Sequence, residues 1–254
     1  MLEGEYHVLS DGWIKIDRTD FAVGLTNVRP VRLLVGLNQL LLKIAGKVVL
    51  IDTGLGTKWR PDQVGLLDYE QPRQLLTAME SLGITPDQVD LVILSHLHYD
   101  HSGGGTTRVG EMIAPTFENA VYYVQLDELV FARNPPPEKV DDYRLQDFDP
   151  LIATGQLISL QGESEIIPGL FVAPAPGHTP GHQAVIAHFG KETVFFPGDL
   201  ISTRAHANQR ISMVYDEDRS TVLAERGRWL ARAREGHWKV VYCHAYRDPI
   251  GTLS

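Results

Sequence analysis

Cysteine is nearly absent: Cys243 stands alone among 254 residues. One thiol cannot close an intramolecular disulfide, and metal clusters built on several thiolates are excluded with it. A reducing compartment is therefore expected. Positive charge is also short, with 23 Lys and Arg against 32 Asp and Glu and a formal net charge of −9. Proteins that grip a phosphate backbone need a basic surface, so no nucleic-acid partner is expected, and the acid excess reads as solubility. No run approaches the ~20 apolar residues of a membrane-spanning helix. No basic segment followed by an apolar stretch opens the chain, so the expectation is a cytoplasmic protein with no membrane partner. The sequence has no tandem repeat, no G-x-S-x-G turn to carry a serine nucleophile, and no Gly-rich phosphate loop. Composition is otherwise ordinary, 43% hydrophobic and 22% charged, which argues for a folded chain. With no compositional break, residues 1–254 read as a single domain with room for a well-buried core.

What the chain does have is a series of short apolar runs that stop at polar residues. Residues 31–35, 39–45, 47–51, 90–94, 120–125, 157–160, 169–173, 183–189, 192–197 and 238–243 read as strands. Residues 71–82 predict a helix with Leu75, Met79 and Leu82 on one face and Gly83 at its end, and 126–132 a shorter one. A long amphipathic helix is expected over 219–235, with Val222, Trp229 and Ala233 inward and Gly236 closing it. The proline run 133–139 predicts a surface loop near a substrate mouth. Trp13, Phe21 and residues 23–30 are read as a flap, a dimer contact or a cap. Mixed strands with helices between them predict two packed sheets with helices outside.

The densest chemistry lies in "LSHLHYDHSGG" (94–104), where His96, His98, Asp100 and His101 fall within six residues. In a helix His96 and His98 would not share a face. In a loop after a strand the four polar groups can converge, and imidazole with carboxylate suits zinc, iron, cobalt or manganese. Gly103, Gly104 and Gly105 are expected to let the backbone turn tightly. Isolated histidines are usually core or surface filler, but the pattern continues. His178 and His182 follow one strand, Asp199 another and His244 a third, and Asp52 ends the strand 47–51. Charges at buried strand ends need partners, and a metal would serve all of them.

The motif His96-x-His98-x-Asp100-His101, followed in order by "GHTPGH" (177–182), "GD" (198–199) and His244 and preceded by "LIDTG" (50–54), resembles the signature of the metallo-β-lactamase-fold hydrolases, over about residues 31–245. The resemblance implies an α/β, four-layer αββα sandwich with its metal site at one edge of the two sheets. It implies two divalent metal ions, zinc first with manganese, cobalt or iron also accepted. His96, His98 and His178 would hold one ion, and Asp100, His101 and His244 the other. Asp199 would bridge, making Asp100 and Asp199 the catalytic carboxylates. Asp52 would orient a ligand imidazole from behind, and His182 would make a structural hydrogen bond. A hydroxide shared by two ions would then attack the substrate.

Within that superfamily the wording is most similar to N-acyl-homoserine lactone lactonase-like enzymes, which implies a small-molecule lactone substrate. Those lactonases carry a tyrosine three residues after the bridging aspartate, where this chain has Ser202. Tyr99 and Tyr215 are the candidates to take its place, and Ser202, His206 and Tyr215 the candidates for substrate contact. The same ligand set would serve a thioesterase or a phosphotriesterase. An iron-dependent persulfide dioxygenase needs only a single-iron subset of it, and a non-catalytic relative would be expected to have lost ligands. Cys243 should face away from His244 into the core, and a homodimer remains open.

Overall fold

The structure, a computed structural model, describes residues 4–26, 28–59, 74–208 and 210–253. The strands in chain order are β1 (Gly4–Asp17), β2 (Arg32–Ile44), β3 (Lys47–Ile51), β4 (Leu91–Ile93), β5 (Thr106–Val109), β6 (Met112–Pro115) and β7 (Val121–Gln125), then β8 (Leu157–Leu160), β9 (Ser164–Ile167), β10 (Leu170–Pro174), β11 (Gln183–Phe189), β12 (Glu192–Phe196), β13 (Lys239–Val241) and β14 (Ile250–Thr252). One sheet runs β1-β2-β3-β4-β7-β8, the other β14-β13-β12-β11-β10-β9, and β5-β6 form a separate hairpin.

Period-2 patterning sorts the side chains into layers. In the first sheet Leu40, Leu42, Ile44, Val49, Ile51, Leu91 and Ile93 face the second sheet, where Leu170, Val172, Val185, Val194, Phe196 and Val241 meet them. The residues between them in sequence, Leu41, Leu50 and Val92, point the other way and pack under Leu75, Met79, Phe148 and Leu151 of the helices Leu75–Ser81 and Leu145–Ala153. Likewise Ile186, Phe195 and Val240 leave the second sheet outward and meet Val222, Trp229, Leu230 and Ala233 of the helix Arg219–Glu235. This is the four-layer αββα sandwich.

Several elements differ from the sequence reading. Residues 31–35 and 39–45 are one continuous strand, β2. Gly36 and Asn38, which interrupt its apolar pattern, are where the chain around His244 docks. Gly36 N–H donates to His244 O, and Asn38 Nδ2 donates to Tyr242 O and Ala245 O. A Cβ at Gly36 would collide with the Ala245 carbonyl. The 14-residue β1 went unread because "SDG" (10–12) looks like a turn; the sheet absorbs it as a bulge, with Gly12 at φ 103°. The hairpin β5-β6 and the short β9 and β14 were not anticipated either. The expected helix 71–82 begins outside the described residues and is seen as Leu75–Ser81. The proline run leads into a 3-10 turn, Pro137–Asp142, whose last residue reaches the cavity described below. Among the described residues no helix is long and apolar enough to cross a membrane.

Candidate metal centre

Strand direction gathers the polar strand ends. β3, β4 and β7 run parallel, as do β12 and β13, so their carboxyl ends open on one edge of the sandwich. Asp52 follows β3, His96 to His101 follow β4, His178 lies in the β10–β11 connection, Asp199 follows β12 and His244 follows β13. The histidine loop itself is short: β4 stops at Ile93, and Tyr99–Ser102 make one helical turn. Gly103 and Gly104 do not occupy the positive-φ region. They are required by close approach instead, because a Cβ at either would collide with the carbonyls of Leu55 or Thr53.

Five imidazoles and two carboxylates converge there. His98 Nδ1 lies 3.0 Å from His96 Nε2 and 3.2 Å from His178 Nε2. His101 Nε2 lies 3.3 Å from His244 Nε2. Asp199 spans the two groups, with Oδ2 3.2 Å from His178 Nε2 and Oδ1 3.1 Å from His244 Nε2. Asp100 Oδ2 stands 3.6 Å from His244 Nε2 and 3.8 Å from His101 Nε2.

The outer nitrogens decide what the inner ones present. His101 Nδ1–H donates to Asp52 Oδ2 at 2.7 Å, His178 Nδ1–H to Asp216 Oδ1 at 2.9 Å, and His244 Nδ1–H to the Gly36 carbonyl at 2.8 Å. Ser95 Oγ donates to Asp52 and so accepts from His96 Nδ1–H at 3.0 Å. Each of these rings therefore turns a bare lone pair inward, against other lone pairs and against carboxylate oxygens. That arrangement repels itself unless a cation or protons fill the centre. Burial disfavours charge on His101, His178 and His244, yet the carboxylates, Asp199 among them, overcome it and raise all three above the ordinary histidine value. Burial likewise opposes the Asp199 anion, but His244, His101 and His178 hold it well below the carboxylate range. His96 and His98, buried among other imidazoles, are lowered. Nitrogens at 3.0–3.3 Å also suit tetrahedral metal bonds, which at ~2.05 Å space their ligand atoms by roughly 3.3 Å. The donor set fits divalent ions.

Asp52 sits behind His101, at φ 57°, and also accepts from Ser95 N at 2.7 Å. His182 lies beside the cluster: its Nδ1–H donates to Ala175 O and its Nε2 accepts from Asp199 N–H. A cavity opens onto the centre. Tyr99, Asp142 and Tyr215 line it with the donor residues, and Ile14, Ile16, Phe21 and Val35 form an apolar wall. Phe21 and β1 thus belong to the site. Of the three expected contact residues only Tyr215 lines this cavity. Ser202 is fully buried and donates to Asp199 O, while His206 is turned to Phe21 O and Thr203. Cys243 packs in the inter-sheet core as expected, but its Sγ also reaches Asp199 Oδ1 at 3.1 Å. Sequence reasoning missed Asp216, Ser95, Gly36 and Glu128. Asp216, Gly36 and Glu128 carry no local mark, because each acts on a segment that only the fold brings near; Ser95 adjoins His96, but a serine there looks like any other polar residue after a strand.

The metallo-beta-lactamase superfamily profile matches residues 34–244. An N-acyl homoserine lactonase of Bacillus sp is 28% identical over 113 residues, 44% of this chain and 38% of that protein. N-acyl homoserine lactonase AttM of Azorhizobium caulinodans is 32% identical over 137 residues, 52% of this chain and 49% of that protein. These matches take in half or less of the relatives' length. Among solved structures, a probable metal-dependent hydrolase from Staphylococcus aureus superposes with a TM-score of 0.91 at 21% identity, covering 99% of this chain and 93% of that one. AidC, a dizinc quorum-quenching lactonase solved with a product, gives 0.81 at 22% identity, covering 98% and 90%. At those identities the structures speak for the fold, and with the family match over most of its length the chain belongs to the metallo-beta-lactamase superfamily.

Proposed function

We propose that this chain is a dinuclear metal-dependent hydrolase that cleaves an ester-type bond, with a lactone as substrate. The observation that carries the reading is the inward convergence of five imidazole nitrogens with Asp199 between two groups of them. His96, His98 and His178 would hold one ion, Asp100, His101 and His244 the other, and Asp199 both. Bound there, two divalent ions supply a water that ionises near neutral pH and a Lewis acid for the carbonyl oxygen.

The chain's own residues supply the rest. Asp199 and Asp100 bring negative charge to offset the ions. Tyr215 is held protonated by burial and by Asp20, its phenol pushed up to about 12, so it can donate a hydrogen bond to a substrate oxygen throughout the neutral range. Tyr99, raised mainly by burial, can do the same. Both line the cavity, which Ser202 does not reach. Ile14, Ile16, Phe21 and Val35 shield the apolar side of the substrate from water. The lactone preference draws on the homoserine lactonase relatives.

The test is metal content by elemental analysis, on protein purified without chelator or affinity metal, alongside a lactone, a thioester and a phosphotriester. About two metals per chain with chelator-sensitive lactone cleavage is expected. One iron per chain, oxygen uptake with a persulfide and no hydrolysis would replace the reading with a dioxygenase.

A further inference from the structure

Glu128 is a fully buried carboxylate outside the donor set. It lies in the first turn of the helix Leu126–Arg133, which follows β7 directly. Among the described residues no lysine or arginine pairs with it. Its partners are all on the two histidine loops. Oε1 accepts from Leu97 N–H at 2.8 Å, and Leu97 stands between His96 and His98. Oε2 accepts from the Thr179 hydroxyl, next to His178. The nearby Gly181 backbone N–H also favours the charged form of the carboxylate. Gly181 also packs against the Glu128 backbone so closely that a Cβ there would collide with it.

We propose that Glu128 is a positioning residue that ties the β4 loop to the β10–β11 loop and so sets the three-nitrogen site of His96, His98 and His178. The nitrogens of that site come from two loops 80 residues apart. Gln183 ties the foot of one loop to the foot of the other, through its N–H to Ser95 O at 2.9 Å and its Nε2 to Leu94 O at 2.8 Å; Glu128 accepts from both loops further out, beside the ligand histidines themselves. A buried carboxylate is costly unless its oxygens are fully hydrogen-bonded, and here the bonds that offset burial are the ones that hold the loops in register. A helix built on the sheet supplies that anchor, and a rigid element holds a site more closely than loops do. This inference rests on reading the donor set as a metal centre.

The experiment titrates Co²⁺ alone, read by its visible absorption, into His244→Ala protein, in which the second site is crippled. Added to this background, Glu128→Ala should weaken Co²⁺ binding by about 10-fold or more, within the range for groups that orient metal ligands from behind. Glu128→Gln should recover most of the affinity. Its oxygen can still accept from Leu97, and its amide can donate to Thr179, whose hydroxyl can turn round and accept. Should Glu128→Ala fold poorly, Thr179→Val removes one strap with little change in volume, and a several-fold loss is expected. A merely structural carboxylate would lower thermal stability while leaving Co²⁺ affinity and spectrum unchanged in the folded fraction, and that result would overturn the proposal. If protein carrying neither change fails to bind Co²⁺, the metal-centre reading falls and this one with it.

Discussion

The two sheets build their halves of the centre differently. The first sheet delivers His96, His98, Asp100 and His101 from one loop and braces them with Asp52 and Ser95, which sit at the ends of β3 and β4. The second sheet delivers His178, Asp199 and His244 one at a time, from three separate connections. Its brace for His178, Asp216, lies on the loop beside Tyr215 and is held by a neighbour on that same loop, Met213, whose N–H donates to Oδ2 at 2.7 Å and whose carbonyl accepts from Asp216 N–H at 3.3 Å. One half is a compact scaffold of strand ends. The other is assembled from distant pieces, and the same loop that braces it also lines the cavity. On the metal-centre reading proposed above, the difference implies that the first half sets whether the centre forms, while the second tunes it to what enters.

The largest effect is expected where the halves meet. Among the described residues Asp199 is the only carboxylate to touch both nitrogen groups. Asp199→Asn should lower metal content per chain and take turnover to background; two metals and full activity would remove Asp199 from its bridging role. Next comes the underside of the first half. Lys58 is buried, pairs with Asp147 at 3.0 Å, and donates to Gly103 O and to Thr106 O at 2.7 Å, clamping the turn after His101. Lys58→Ala leaves Asp147 buried without its partner. A loss of about 3–5 kcal/mol in denaturant unfolding is expected. A loss under about 1 kcal/mol would mean that the scaffold does not depend on this clamp.

The same contrast explains what could be read in the sequence. β3, β4, β8, β11 and the helix Arg219–Glu235 were visible because each is a continuous apolar run or a periodic one with an end signal. The four proposed ligands of the first half were visible because they are neighbours. His178, Asp199 and His244 became visible only by sharing a position, each after a buried strand. Asp216 and Glu128 carried no such mark. A carboxylate that braces a ligand from 38 residues away, as Asp216 does, looks like any acidic loop residue until the fold closes. β1 and the middle of β2 were misread for a related reason. Gly12 serves a bulge, and Gly36 and Asn38 serve the approach of the His244 segment, so tertiary demands broke the local pattern.

His206 sharpens the comparison from the second half. It donates Nε2–H to Phe21 O at 3.0 Å and accepts from the Thr203 hydroxyl at 2.8 Å, so the fold holds it neutral. Burial, then the nearby Arg226, lowers its pKa to about 4. Between that value and the ordinary 6.5 the unfolded chain binds a proton that the folded one does not. Stability is therefore complete above pH ~6.5 and falls as the pH drops toward ~4, by up to about 3 kcal/mol. Replacing it, as His206→Gln, should flatten that acid limb in urea unfolding measured from pH 7 to 4. An unchanged limb would assign the acid sensitivity to other groups, and the contact to Phe21 would lose its place in holding the cavity wall.

The finest test sets the two braces against each other. Asp52 tolerates asparagine in its backbone, since a left-handed φ suits both residues. Its two oxygens, however, serve three donors: Ser95 N, Ser95 Oγ and His101 Nδ1. Oδ1 must stay an oxygen for Ser95 N–H, so in Asp52→Asn the amide N–H takes the Oδ2 position and faces both Ser95 Oγ and His101 Nδ1; the hydroxyl can turn round and accept, and His101 yields by moving its proton to Nε2 and losing the inward lone pair. Asp216 serves two donors, and one of them is a loop amide. In Asp216→Asn the side chain can turn its oxygen to His178 and leave the loop to adjust at Met213. Of the 10–100-fold range for such braces, Asp52→Asn should therefore fall near the upper end and Asp216→Asn near the lower, in Co²⁺ affinity. Asp216→Asn should also shift KM more than Asp52→Asn does, because the adjustment passes to Tyr215. Equal losses with unchanged KM would mean that the Asp216 loop is as rigid a scaffold as the strand ends, and the distinction between the two halves would not stand.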